Sequence, residues 1–114
     1  MKIYHNNKCS KSRDCYTLLQ EKGIPFETVE YLKNPLTKSE VVQLLKLLNI
    51  PAEALIRKGE KDYIENFKGK NLSEDEWIDA MVKFPKLIER PIVIKGNKAV
   101  IGRPIERVIE LLES

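Results

Sequence analysis

Residues 2–31, KIYHNNKCSKSRDCYTLLQEKGIPFETVEY, decide the architecture. Lys2 to His5 is rich in β-branched and aromatic residues and reads as a short strand. Asn6-Asn7-Lys8 is a polar turn. From Ser10 to Lys22 the pattern is helical: Cys15, Leu18 and Leu19 fall at i, i+3 and i+4, and Gly23 supplies the stop. Pro25 to Tyr31 alternates apolar and polar residues, which predicts a second strand. Strand, helix and strand in this order predict a parallel pair joined by a right-handed crossover.

Outward from this unit, Asn34 to Thr37 is a turn, and Thr37 with Glu40 three residues later forms a capping box. The helix it opens carries Val41, Leu44, Leu45 and Leu48 on one side. Pro51 to about Lys68 reads as short helical pieces punctuated by Gly59 and Gly69. Ser73 and Glu76 form a second capping box, before a helix with Trp77, Ile78, Met81 and Val82 on its apolar side; Phe84-Pro85 ends it. Pro91–Lys95 and Lys98–Ile101 are strands separated by Gly96-Asn97, the signature of a β-hairpin. Gly102-Arg103-Pro104 leads to a last helix, with Pro104 in its first turn and Ile105, Val108, Ile109 and Leu112 facing inward. The expected fold class is α/β and thioredoxin-like. A four-stranded mixed sheet combines the parallel βαβ unit with an antiparallel hairpin, and carries packed helices and a helical insertion.

The chain has 114 residues, the size of one domain, spanning 1–114. Its 20 basic and 17 acidic residues leave a net charge of +3 with no basic block, which argues against direct nucleic-acid binding. An apolar share of 42% supports a core and excludes a disordered chain. No apolar run approaches the ~20 residues that span a bilayer, and the first residues lack the apolar stretch of a signal peptide. Two cysteines and one histidine exclude a disulfide scaffold and a four-ligand zinc finger, and no metal is expected. A cytoplasmic location is the expectation.

The chemistry points to Cys9, which lies where the first strand has ended and the first helix begins. Unpaired amides and the positive end of the helix dipole stabilise a thiolate there, and the same amides can cradle an oxyanion. Lys8, Lys11 and Arg13 add positive charge. Burial as a small apolar residue is the alternative for Cys9, and its polar neighbours argue against it. Cys15 lies six positions further on, about 600° of rotation and roughly 9 Å of rise along a helix. A disulfide needs Cα atoms within ~7 Å, so Cys15 reads as core beside Leu18 and Leu19. Ser12 occupies the second position of what would be a C-x-x-C motif, which excludes a dithiol reaction in this loop and calls for an outside thiol. Arg13 follows Cys9 by four residues, so the C-x5-R loop of cysteine phosphatases is absent.

Only five of the basic residues are arginines, and three stand in distinctive contexts: Arg57 before Lys58, Arg90 before Pro91 and Arg103 before Pro104. Arginine offers bidentate recognition of oxyanions, although a single exposed arginine more commonly serves an ion pair. In the expected sheet the third strand starts beside the end of the first, which brings Arg90-Pro91 to the nucleophile; the resemblance to thioredoxin-like folds, which carry a cis-proline at that point, makes Pro91 a candidate for one. His5 is placed to tune the thiolate or to act as a structural hydrogen-bonder.

Five separated segments together resemble the glutaredoxin-coupled arsenate reductase family: Ile3 to Arg13, Tyr31 to Pro35, Ala54 to Lys58, Arg90 to Val93 and Gly102 to Pro104. By this resemblance Cys9 is the nucleophile that attacks arsenate, and Arg57, Arg90 and Arg103 bind the oxyanion. His5, Ser12 and Arg13 support the site, Ser12 and Arg13 by lining the anion loop. The resemblance implies no bound cofactor. Glutathione is the co-substrate and glutaredoxin, or another external thiol donor, is the partner that allows arsenite release. Lys8 stands where a small residue is expected, Cys15 where a non-thiol residue is expected, and the C-terminal extension of some members is not expected here. Two other readings share the fold. One is a regulator similar to Spx that binds RNA polymerase, whose redox-sensing members usually carry C-x-x-C where this chain has Cys9 and Ser12. The other is a monothiol glutaredoxin-like disulfide reductase.

Overall fold

The structure is a computed structural model and describes residues 1–114. Its contacts group into two units, Met1–Asn34 with Arg90–Ser114, and Pro35–Glu89.

The first unit holds the sheet. Its elements are β1 (Lys2–Tyr4), α1 (Ser10–Glu21), β2 (Glu27–Val29), β3 (Ile92–Lys95), β4 (Lys98–Ile101) and α5 (Glu106–Glu113). The strand order is β2-β1-β3-β4. β1 pairs in parallel with β2, as the βαβ reading required, and antiparallel with β3. Gly96, at φ +62, makes the two-residue hairpin turn between β3 and β4. Gly23, at φ +66, is the left-handed residue that stops α1. Ile3, Cys15, Leu19, Val93, Val108 and Leu111 form the core, where α1 and α5 bury their apolar stripes against the sheet.

Several boundaries differ from the sequence reading; α1 ends at Glu21 and β3 begins at Ile92, each one residue short of the expected span. β2 is shorter than Pro25–Tyr31, because Pro25 has no N–H to give a ladder and pairing begins only at Glu27, whose amide donates to the Met1 carbonyl. β1 ends at Tyr4, although the His5 amide still donates to the Val29 carbonyl. α5 begins at Glu106, with Pro104 outside it, and it buries Leu111 while Leu112 stays half-buried. Leu111 follows Val108 by three residues and therefore shares its face. The side chain of Lys95 satisfies the end of this helix, donating to the Leu111 and Leu112 carbonyls at 3.4 and 3.2 Å.

The second unit is helical, with α2 (Lys38–Leu48), α3 (Lys61–Asn66) and α4 (Glu74–Lys83) and two 3₁₀ turns, Ala52–Leu55 and Pro85–Leu87. Both capping boxes are formed: Thr37 with Glu40 opens α2, and Ser73 with Glu76 opens α4. α4 buries Trp77, Ile78, Ala80 and Met81, with Ala80 in place of the expected Val82, which is half-buried. Residues 77, 80 and 81 share one face at helical spacing, whereas Val82 is turned aside. No helix is long and apolar enough to cross a membrane.

Candidate active site

The loop from His5 to Cys9 is folded by Asn6, which by sequence alone is only a turn residue. Its carbonyl accepts from the Cys9 amide at 3.0 Å, its Oδ1 accepts from the Lys8 amide at 3.0 Å, and its own amide donates to Ser12 Oγ at 3.0 Å. Asparagine at a turn makes bonds of this kind to its own backbone neighbourhood, which is the signal that could have singled it out. The loop delivers Cys9 to the N-cap of α1 in an extended conformation, φ −96° and ψ 123°, and the Cys9 carbonyl accepts from the Arg13 amide.

Cys9 is a free, half-buried thiol. Arg103 Nη2 donates to its Sγ at 3.2 Å. The sulfur makes no side-chain capping bond of full geometry, yet the helix amides still act on it. Burial, the largest single influence, pushes the thiol pKa up. It is outweighed by the Ser12 amide, the Arg90 side chain, the Lys11 amide and the charge of Arg103, and the net result lies below the ordinary value. All four favour the charged form, which is the condition for a nucleophile.

The two arginines reach Cys9 through the sheet. Tyr4 pairs with Ile92, so β3 starts where β1 ends, as expected. Arg90 and Pro91 therefore flank the loop after β1, and the Arg90–Pro91 bond is cis, as is Arg103–Pro104. Arg103 is aimed by its Nε, which donates to the Arg90 carbonyl at 2.7 Å, leaving Nη2 on the sulfur. Gly102 holds this arch close: its amide donates to the Pro91 carbonyl at 2.8 Å. A Cβ at Gly102 would stand 2.9 Å from Pro91 Cγ and 3.0 Å from Val108 Cγ2. Neither a proline ring nor a buried valine can yield cheaply. Gly102→Ala is expected to cost about 1–3 kcal/mol, the usual range for overpacking. A urea titration of both proteins measures it, and an unchanged midpoint would refute the steric argument.

His5 and Ser12 are buried. His5 Nδ1 and Ser12 Oγ are hydrogen-bonded at 2.6 Å, and the imidazole stacks on Tyr16 with centroids 5.0 Å apart. Burial pushes the His5 pKa down, partly opposed by Glu30, so the ring is neutral at physiological pH. The Ser12 hydroxyl is thus engaged with His5 and Asn6, and it is the Ser12 amide that acts on Cys9. Arg13 is exposed and its Nη1 donates to the Asn7 carbonyl at 3.3 Å, bracing the loop from outside. Arg57 belongs to the second unit, where its Nη1 lies 3.0 Å from Glu89 Oε1 and its buried Nε has no hydrogen-bond partner. The structure therefore gathers Cys9, His5, Ser12, Arg90 and Arg103 in the first unit.

Cys15 is fully buried in the core of that unit, and burial pushes its pKa up to about 12. The two thiols should consequently separate on alkylation. Iodoacetamide reacts with thiolates, so Cys9 is expected to be modified with a midpoint below that of the same cysteine in denaturant, and Cys15 only after unfolding. Mass spectrometry of the peptides across a pH series checks both. Equal labelling of the two in the native protein would contradict the assignment.

The comparisons with known proteins agree among themselves. The model of the ArsC family matches residues 4–111. The uncharacterized protein YfgD of Escherichia coli strain K12 is 47% identical over 114 residues, covering 98% of this chain and 96% of its own. The arsenate reductase of Haemophilus influenzae is 41% identical over 112 residues, covering 96% of this chain and 97% of its own. Among solved structures, the arsenate reductase from Vibrio cholerae superposes with a TM-score of 0.90 at 41% identity, covering 96% of this chain and 97% of that one.

Proposed function

The chain belongs to the ArsC family, and from that premise we propose that it is a thiol-dependent oxidoreductase of the arsenate reductase type with Cys9 as nucleophile. The observation that carries the proposal is the placement of Cys9 Sγ at the N-cap of α1 with Arg103 Nη2 at 3.2 Å. A thiolate beside amides and a guanidinium is suited to attack an oxyanion, because the groups that stabilise the sulfur's charge also receive the oxygens' charge.

In the proposed reaction the Cys9 thiolate displaces an oxygen of arsenate, which leaves as water after protonation, and an S–As(V) bond forms. Arg90 and Arg103 hold the remaining oxygens. Glutathione, as thiolate, then attacks the Cys9 sulfur. The S–As bond breaks with its electron pair passing to arsenic, so As(V) becomes As(III) and is released as arsenite. Cys9 is left in a mixed disulfide with glutathione. Glutaredoxin attacks that disulfide and returns Cys9 to the thiolate. The two electrons come from thiols, and a reducing thiol pool of this kind supports a cytoplasmic location for the reaction.

The buried Cys15 suits this scheme, since a second reactive thiol in the chain would compete with glutathione. The test is a coupled assay containing glutathione, glutaredoxin, glutathione reductase and NADPH. NADPH consumption that depends on added arsenate is the expected result. Consumption that ignores arsenate but responds to a glutathione mixed disulfide would replace the oxyanion by a disulfide as substrate.

A further inference from the structure

Within the second unit, Arg57 and Glu89 are brought together by a short piece of antiparallel backbone. Ile56 and Ile88 form an isolated bridge. The Arg57 amide donates to the Leu87 carbonyl at 2.8 Å, and the Glu89 amide to the Leu55 carbonyl at 2.9 Å. Leu55, Ile56, Leu87 and Ile88 are all buried, which fixes the register of the two segments. Arg57 and Glu89 each follow a bridge residue, so their side chains leave on the same face and meet diagonally across it.

The two side chains are only 25% and 26% exposed, whereas the pairs Lys58–Glu53 and Lys38–Asp75 lie on the surface. The contact is narrow. Glu89 Oε1 accepts from Arg57 Nη1 at 3.0 Å, while the buried Arg57 Nε has no hydrogen-bond partner. A carboxylate that neutralises an arginine frequently takes two parallel N–H bonds. In a guanidinium, Nε–H and one N–H of Nη2 point the same way and make a two-pronged edge, with Nη1 on the other side. Glu89 therefore grips the guanidinium away from the edge that holds Nε. A buried N–H without an acceptor is a costly arrangement for a contact that served stability alone.

We propose that Glu89 is a positioning residue for Arg57: it fixes the guanidinium through Nη1 and so presents the Nε edge to a tetrahedral oxyanion. The role deepens the oxyanion reading above, on which it rests for the class of ligand. Charge and geometry pull in opposite directions at this pair. The carboxylate's charge disfavours a second anion nearby, and its oxygen holds the plane that the anion needs. Glutamine separates the two, because it keeps an acceptor oxygen and drops the charge.

The chain has five arginines, so a proton–nitrogen correlation spectrum of the arginine side chains holds five Nε–H signals, and Arg57→Lys identifies the one from Arg57. Sulfate, a tetrahedral oxyanion that thiols do not reduce, is titrated at constant ionic strength against chloride. The native Arg57 signal is expected to shift with a saturable midpoint. In Glu89→Ala that midpoint should rise about fivefold or more, the cost of ordering a guanidinium that is no longer held. Glu89→Asp withdraws the acceptor by one methylene and should move it in the same direction. In Glu89→Gln the midpoint should stay at the native value or fall below it. Backbone amide spectra verify that the variants fold.

Equal midpoints in all four proteins make the pair purely structural and overturn the proposal. Tighter sulfate binding in both Glu89→Ala and Glu89→Gln makes the carboxylate a competitor for the guanidinium and overturns it too. So does a native Arg57 signal that ignores sulfate or follows chloride equally, a result that leaves the reaction of Cys9 with Arg90 and Arg103 standing. The expected order of midpoints in a chain inert toward arsenate keeps the positioning role and loses the reaction.

Discussion

Cys9→Ser is expected to lower arsenate-dependent turnover by about 10⁴-fold or more, the scale on which loss of a covalent nucleophile acts. The substitution changes one atom. A serine hydroxyl is far too weakly acidic for the Ser12 and Lys11 amides and the two guanidinium groups to ionise, so the charge they are arranged around never forms. The same substitution should leave the fold intact. Serine is a preferred N-cap residue, whereas Cys9 makes no full capping bond, so α1 should be at least as stable in the variant. The coupled NADPH assay reads the first effect and thermal unfolding the second. A folded serine variant that still turns over arsenate would remove Cys9 from the mechanism.

Arg103→Ala is expected to lower kcat/KM for arsenate by about 10²–10³-fold, as loss of a charged donor aimed at a developing oxyanion does. The residue contributes in two ways. Its Nη2 lies on the sulfur, so its removal withdraws one of the influences that lower the Cys9 pKa, and the midpoint of the alkylation profile should rise. The rise has a defined sign: less thiolate at neutral pH and a slower reaction there, recovered as the pH is raised. Its Nε also binds the Arg90 carbonyl at 2.7 Å, so the alanine variant loses the tie between the two arginine segments. Arg103→Lys should restore part of the charge and none of the fork, because a single ammonium cannot hold the carbonyl and the sulfur in one plane. Its activity should therefore fall between those of the native chain and the alanine variant. Alkylation against pH, run beside the activity assay, separates the two contributions. If Arg103→Ala leaves both measurements unchanged, Arg103 is not part of the site.

Much of this arrangement is legible locally. The polar turn before Cys9, the apolar spacing of Cys15, Leu18 and Leu19 and the stop at Gly23 are enough to put Cys9 at a helix start and Cys15 in the core. Both capping boxes and the Gly96-Asn97 hairpin form as read. Each of these depends on residues within one or two turns of each other, so the side-chain pattern and the backbone preference are seen together. Pro104 fits a first helical turn by local preference alone, yet α5 starts only at Glu106, and nothing nearby in sequence marks the bend that keeps Pro104 out of it.

The assignment of partners within the site needed the folded chain. Ser12 could have faced an anion with its hydroxyl; packing instead buries that hydroxyl between His5 and the Asn6 amide and leaves only the backbone for Cys9. Arg103 lies 94 residues from the thiol it touches, and its direction is fixed by the Arg90 carbonyl, which the register of β3 against β1 brings into reach. A cleft joins Lys11 and Asp14 of α1 to residues 103–106 in the same way. A residue's neighbours in the chain determine its helix, strand or turn, which is why the position of the nucleophile could be read directly. Which distant group donates to it, and at what angle, is decided by strand register and core packing, and these exist only once the segments have been brought together.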